Sequence, residues 1–335
     1  MNNIKCPFCG NERLTLKREP AKIIFRNEEY RIHKLFYECE SCKERFTNTE
    51  LDEKNLQQVK NQYREIHSIP FSEQLIRTRK KYGLSAAKMS EVLGFGANIY
   101  RNYEKGEVPN LSNGTLLNLA IRPEEFLKII ENKRNLFSEN KFEQLVQKIK
   151  SFIEVGNSYQ RLKKEIWNEE LIPNEFTGYS VPNFEKFANL VLFFLKKNRN
   201  IFKVRMNKLL FYCDFYFFKN YGYSITGNRY QAIQMGPVPF RYDLNYDFLT
   251  NENYIEFELK EINSSIVESP VPLKDFNDKL FSEDELETIE FIHNKFKDVK
   301  TEDLVEKSHN EKGWLMEHNR KGLISYQKYG FDLSI

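Results

Sequence analysis

Two short cysteine motifs, Cys6-Pro-Phe-Cys9 and Cys39-Glu-Ser-Cys42, hold four of the five cysteines in this 335-residue chain. Each C-x2-C knuckle turns two sulfurs toward one point, at the separation a tetrahedral zinc–thiolate site needs. The 29 residues between the knuckles contain two β-rich runs, AKIIFR (21–26) and EYRIHKLFYE (29–38), with a turn expected at Asn27-Glu28. A hairpin of this kind brings the second knuckle back onto the first. The excursion is longer than the usual zinc-ribbon spacing. Disulfides or free thiols are the alternatives, and a reducing compartment disfavours the first. Four thiolates from Cys6, Cys9, Cys39 and Cys42 fill the coordination sphere of one Zn2+. They leave no position for a substrate, so the metal is expected to be structural. His33, between the pairs, reads as a surplus surface residue.

The remaining length calls for two or three domains. No apolar run approaches the roughly 20 residues that span a bilayer, and the start MNNIKCPFCG lacks the apolar stretch of a signal peptide. The expectation is a cytoplasmic protein without a membrane partner. Net charge is +3, with 20 Lys/Arg against 15 Asp/Glu in residues 1–110 and 31 against 33 in the rest. A weakly basic amino-terminal third is compatible with nucleic acid. The expected fold is multidomain and mainly α. A zinc-bound β-hairpin module (1–50) precedes an all-α helix-turn-helix domain (51–133). A charged helical connector (134–182) follows, and then a mostly helical α+β domain (183–335). The connector reads as one long helical stretch over 138–170, and the breaker-rich segment IPNEFTGYSVPN (172–183) reads as the domain boundary. MNKLLFYCDFYFFKNYG (206–222) is apolar almost all round, which is the pattern of a buried helix.

The segment LIRTRKKYGLSAAKMSEVLGFGANIYRNYEKGEVPN (75–110) carries the second set of motifs. Ser85 is placed to cap a helix whose apolar positions are Met89, Val92 and Leu93. Gly94 supplies the turn into a short helix with Ile99, Tyr100 and Tyr103 facing inward. Asn98, Arg101 and Asn102 then face outward. This pattern resembles the lambda-repressor-like (XRE) helix-turn-helix family through Gly83-Leu84-Ser85, Leu93-Gly94, Tyr103-Glu104, Gly106 and Pro109. Ala97 departs from it, standing where many members carry a base-reading Gln. Combined with the two cysteine knuckles, the segment looks more like the MqsA/YgiT-type antitoxins. That resemblance implies base reading by Asn98 and Asn102, with Arg101 as a neighbouring donor, although members carry Arg at the later position. Asn matches the donor–acceptor pair of adenine and Arg the two acceptors of guanine. Arg77, Arg79, Lys80 and Lys81 are the expected phosphate contacts. Double-stranded operator DNA and a homodimer follow as expected partners.

The carboxy-terminal region resembles the Panacea (SocA-like) domain through four landmarks in order. These are Lys208-Leu209-Leu210-Phe211-Tyr212-Cys213-Asp214, Tyr223-Ser224-Ile225-Thr226-Gly227, Gln231-Ala232 and Gly236-Pro237-Val238-Pro239. The resemblance implies a domain that binds and neutralises a toxin through residues somewhere within 138–335. The implied role is a type II antitoxin that also represses its own transcription. A stand-alone regulator with a ligand-sensing or assembly domain is the alternative. Cys213 with His293, His309 or His318 could suggest a thiol enzyme. Cys213 lies among aromatic residues, however, and no acid–base set has motif spacing, so no enzyme is expected. Lys208 and Asp214 are a possible structural pair.

Overall fold

The computed structural model describes residues 4–153, 158–198, 201–262 and 265–335. They form two compact units that divide after Ile66.

In the first unit, β1 (Leu14–Phe25) and β2 (Glu28–Cys39) pair antiparallel from Phe25↔Glu28 to Leu14↔Cys39. The turn residues are Arg26 (φ 50°) and Asn27 (φ 68°), one position earlier than the sequence suggested. Two left-handed residues match the strand twist, and Asn accepts that conformation readily. A short β3 (Arg45–Phe46) pairs with β2 beside the second knuckle. Helix α1 (Thr49–Ile66), expected to begin the helical domain, packs on this hairpin. Its amide side chains act as a surrogate strand for β2. Asn55 bonds both the N–H (2.7 Å) and the C=O (2.9 Å) of Leu35, and Gln58 bonds those of His33 (3.0 and 2.9 Å). Backbone groups left over by the sheet are thereby paired.

The second unit contains two apolar cores. The first is built by α2 (Ser72–Tyr82), α3 (Ala86–Val92), α4 (Ile99–Glu104), α5 (Leu111–Ile121), α6 (Pro123–Asn132) and α7 (Glu139–Ile153). Leu75, Met89, Tyr100, Leu117 and Phe126 are buried at its centre, and Leu145 and Ile149 of α7 close it. Ser85 caps α3 through a 3.1 Å bond from the Lys88 N–H, and Gly83 ends α2 in the left-handed conformation. The stretch expected as one helix over 138–170 contains two, α7 and α8 (Ser158–Ile166), on either side of residues 154–157, which lie outside the described residues. Helix α7 belongs to the first core, whereas Ile166 and Trp167 belong to the second.

The second core surrounds α10 (Lys203–Tyr221), which is buried nearly all round as its composition requires. Helix α9 (Phe184–Lys197), α12 (Glu283–Phe296) and α13 (Thr301–His309) pack on it, along with the hairpin β4 (Tyr230–Ile233)/β5 (Gly236–Pro239). That hairpin pairs the third landmark of the sequence, Gln231-Ala232, with the fourth, Gly236 to Pro239. Helices α11 (Tyr242–Asn251), α14 (Lys312–Glu317) and α15 (Tyr326–Tyr329) and the hairpin β6 (Ile255–Ile262)/β7 (Ser265–Pro272) complete the region. The segment 172–183 is no exposed linker, because Tyr179 and Val181 are buried. The Ser180 hydroxyl donates to Ser224 O (2.6 Å), and Asn183 N to Thr226 O (2.9 Å). Prolines and glycines here shape a buried loop.

Lys208 and Asp214 do not pair. Asp214 is fully buried and accepts from Ile225 N, Thr226 N, the Thr226 hydroxyl and the Tyr230 hydroxyl at 2.6–2.9 Å. It thus locks the second landmark onto the first. Lys208 instead donates to Pro237 O at 2.9 Å under the β4–β5 turn. A Cβ on Gly236, whose φ is +91°, would lie 2.9 Å from the Lys208 Nζ.

Burial holds the Lys208 ammonium down to about 7, against roughly 10.4 in an unfolded chain. Between those values the unfolded state binds more protons, so this group makes stability rise with pH. The buried Cys213 thiol, pushed up by burial, contributes the opposite slope. Comparison with Lys208→Met cancels the cysteine. The stability difference, wild type minus Lys208→Met, should rise by about 1 kcal/mol per pH unit between pH 7.5 and 9.5. Thermal melts at three pH values check it, and a flat difference would mean that Lys208 titrates normally.

Candidate metal centre and nucleic-acid interface

The hairpin carries Cys39 to Cys9 and Cys42 to Cys6, with both Sγ–Sγ distances 3.6 Å. All four sulfurs lie within 4.8 Å of one another. Tetrahedral zinc with bonds near 2.3 Å requires sulfurs about 3.8 Å apart, so the cluster fits the ion. The two knuckles close alike. Gly10 N donates to Cys6 O (2.9 Å) and Lys43 N to Cys39 O (3.0 Å), and both donors are left-handed, four residues after their cysteine. Cys6 and Cys39 are buried. An all-sulfur donor set suits Zn2+, whose role here is to tie the knuckles together.

Helix α4 is held from behind. Tyr100 N donates to the Ser90 hydroxyl (3.0 Å), the Tyr100 hydroxyl to Leu75 O (2.9 Å), and the Ser72 hydroxyl to Tyr103 O (3.0 Å). Tyr100 and Tyr103 are buried and Ile99 half-buried, leaving Asn98, Arg101 and Asn102 exposed on the opposite face. Asn98 adopts φ 66° at the helix start, a conformation Asn tolerates better than most side chains. Lys105, exposed one turn after Arg101, extends this face and was missed from sequence.

The cations of α2 are less free than their clustering suggested. Arg79 makes two bonds to Glu104 of α4 (2.6 and 3.4 Å). Arg77 pairs with Glu73 (2.7 Å) and Glu169 (3.2 Å), and Lys81 with Glu170 (3.4 Å). Among the described residues, Lys80 alone of the four has no carboxylate partner. At about 100° per residue, Arg79 points to α4 while Arg77 and Lys81 point to the far side of α2. The segment 168–171 sits on that side. The buried Gln74 donates to Glu169 O (3.2 Å) and Leu171 O (2.9 Å), and Phe71 stacks on Tyr179 at 6.1 Å. The Arg77–Glu169 and Lys81–Glu170 pairs border a cavity of about 740 Å3 that Trp167, Phe184 and Tyr254 also line. Lys163 and Lys164 on its wall are paired with Glu252 and Glu170.

In the second core, Cys213 is fully buried and its thiol is pushed up by burial, the wrong direction for a nucleophile. His309 and His318 both stack on Trp314 (centroids 4.1 and 4.3 Å), and His293 packs against Phe193.

Comparison with known proteins finds matches in two separate regions of the chain. Residues 4–131 match the family model of MqsA, the antitoxin component of a bacterial toxin–antitoxin system. Residues 206–315 match that of the antitoxin SocA-like Panacea domain. The chain joins an MqsA-type antitoxin region to a Panacea region. Antitoxin MqsA of Escherichia coli (strain K12) is 29% identical over 132 residues, which span 38% of this chain and 99% of that protein. The MqsA-type region holds the cysteine cluster and α2–α6; the Panacea match runs from α10 into α14. Both matches point to an antitoxin, a regulatory class of protein rather than an enzyme class. No helix among the described residues is long and apolar enough to cross a membrane.

Proposed function

We propose that this chain is a type II antitoxin that binds operator DNA through α4 and neutralises a toxin through its Panacea region. The observation that carries the DNA reading is the split of α4, with two buried tyrosines behind and Asn98, Arg101 and Asn102 exposed in front. The far side of α2 takes the contacts of segment 168–171, away from that face. A homodimer would present two such helices to half-sites about 34–36 Å apart, repressing the chain's own promoter.

The left-handed backbone at Asn98 dictates the test. Asn98→Ala would mix loss of the amide with backbone strain, whereas Asn98→Gly removes the amide alone. Asn98→Gly and Arg101→Ala should each weaken operator binding by about 1–3 kcal/mol and relax sequence preference. Lys80→Ala should lower the salt slope by about one unit, and Arg77→Ala, whose charge is already paired, should leave it unchanged. Footprints and salt titrations on the chain's own promoter measure all four. An unaltered footprint in Asn98→Gly/Arg101→Ala would remove α4 as the reading element.

A further inference from the structure

The turn between β4 and β5 and helix α14 form an apolar surface on the Panacea region. Met235 is 49% exposed, Leu315 50% and Met316 61%. Trp314 bridges turn and helix, its indole N–H donating to Ile233 O at 2.7 Å. Around this strip lie the exposed Lys312, Arg320 and Lys321, while the two acids of the same segment, Glu311 and Glu317, are buried. Lys312 pairs with Asp332, and Arg320 lies over Glu317 with its side chain still 73% exposed. Lys321 has no carboxylate partner among the described residues. From 310 to 321 no exposed residue is acidic.

We infer that this surface is the toxin-docking face, and that it takes a protein surface with an apolar anchor inside an acidic rim. The inference rests on the proposed neutralising role of the Panacea region. The chemistry disfavours the other occupants. A second copy placed across a two-fold axis would set Lys312, Arg320 and Lys321 against themselves. A nucleic acid would need a free aromatic ring for its bases, but Trp314 is already stacked by His309 and His318. Leucine and methionine side chains inside a charged ring match a protein partner, and methionine adapts its shape to one.

The test uses the full chain and the protein encoded beside it as the probe. Leu315→Glu/Met316→Glu should weaken the complex at least 100-fold in calorimetry, with unchanged thermal melting. Lys312→Glu/Lys321→Glu should weaken it about tenfold and flatten its salt dependence. Leu259→Glu, at a residue 72% exposed on β6, serves as the control and should stay within threefold. If the wild-type pair forms no complex, the neutralisation reading itself fails. A complex that ignores Leu315→Glu/Met316→Glu would leave that reading intact and overturn the docking face. Two other outcomes also overturn it. One is a loss of self-association in that variant without loss of the partner. The other is duplex or transfer RNA binding that only the lysine variant abolishes.

Discussion

Cys42→Ser is expected to release the metal and loosen residues 4–66 while the helical second unit keeps its melting temperature. The reason is the small scale of the first unit, a hairpin and one helix joined by the amide hydrogen bonds of Asn55 and Gln58 to β2 and by a few buried side chains such as Tyr30, Val59 and Tyr63. Units of this size rarely stabilise themselves by apolar burial alone. Structural zinc in finger-like sites contributes about 10–16 kcal/mol of binding free energy that is also folding free energy. Loss of one ligand opens the fourth coordination position and frees the second knuckle, where β2 ends at Cys39 and β3 begins at Arg45. Metal analysis should give one zinc per wild-type chain and well under one in Cys42→Ser. Amide exchange should rise across β1, β2 and α1 and stay unchanged from α2 onward. Wild-type protein that contains no zinc under reducing conditions would sink the assignment.

The features legible in the sequence are those set by near neighbours. The cysteine spacing located the cluster, and the left-handed turns at Gly10 and Lys43 that close it are local. Ser85, Gly83 and Gly94 marked the helix ends, and the period of Tyr100 and Tyr103 fixed which face of α4 is exposed. Long-range pairing escaped. Arg77 and Glu169 are 92 residues apart, so a run of cations on α2 looked free when three of the four have carboxylate partners. Segment 172–183 misled for a related reason. Proline and glycine announce a break in regular structure but cannot distinguish an exposed linker from a buried loop whose backbone finds partners in Ser224 and Thr226. The asparagine and arginine chemistry of α4 was readable; the toxin-facing surface was not, because no residue pattern separates exposed apolar side chains from core.

The same burial decides where the chain can be divided to separate its two proposed activities. A fragment starting at residue 183 loses Trp167, whose indole N–H donates to Asn245 (2.9 Å) and whose ring packs 5.0 Å from Phe187. It also loses Thr177 O, the acceptor for the Ser224 hydroxyl, and Tyr179 from the core. It should be insoluble, since deleting large buried aromatics typically costs 3–5 kcal/mol each. A fragment ending near residue 133 lacks Leu145 and Ile149, which close the first core. Division between α7 and α8 leaves the first core whole and takes only Phe71 from the second. It breaks the ion pairs of Arg77 and Lys81, which are partly exposed and worth about 0–1 kcal/mol each. It also breaks the Gln74 bonds and the Phe71–Tyr179 stack. Residues 158–335 should therefore fold, bind the toxin and rescue growth when co-expressed with the neighbouring gene. Residues 1–153 should bind operator DNA and give no protection. Both halves are read in one plate assay with a parallel promoter reporter. Rescue by residues 1–153 would move neutralisation into the MqsA-type region and leave the Panacea region without a part in it.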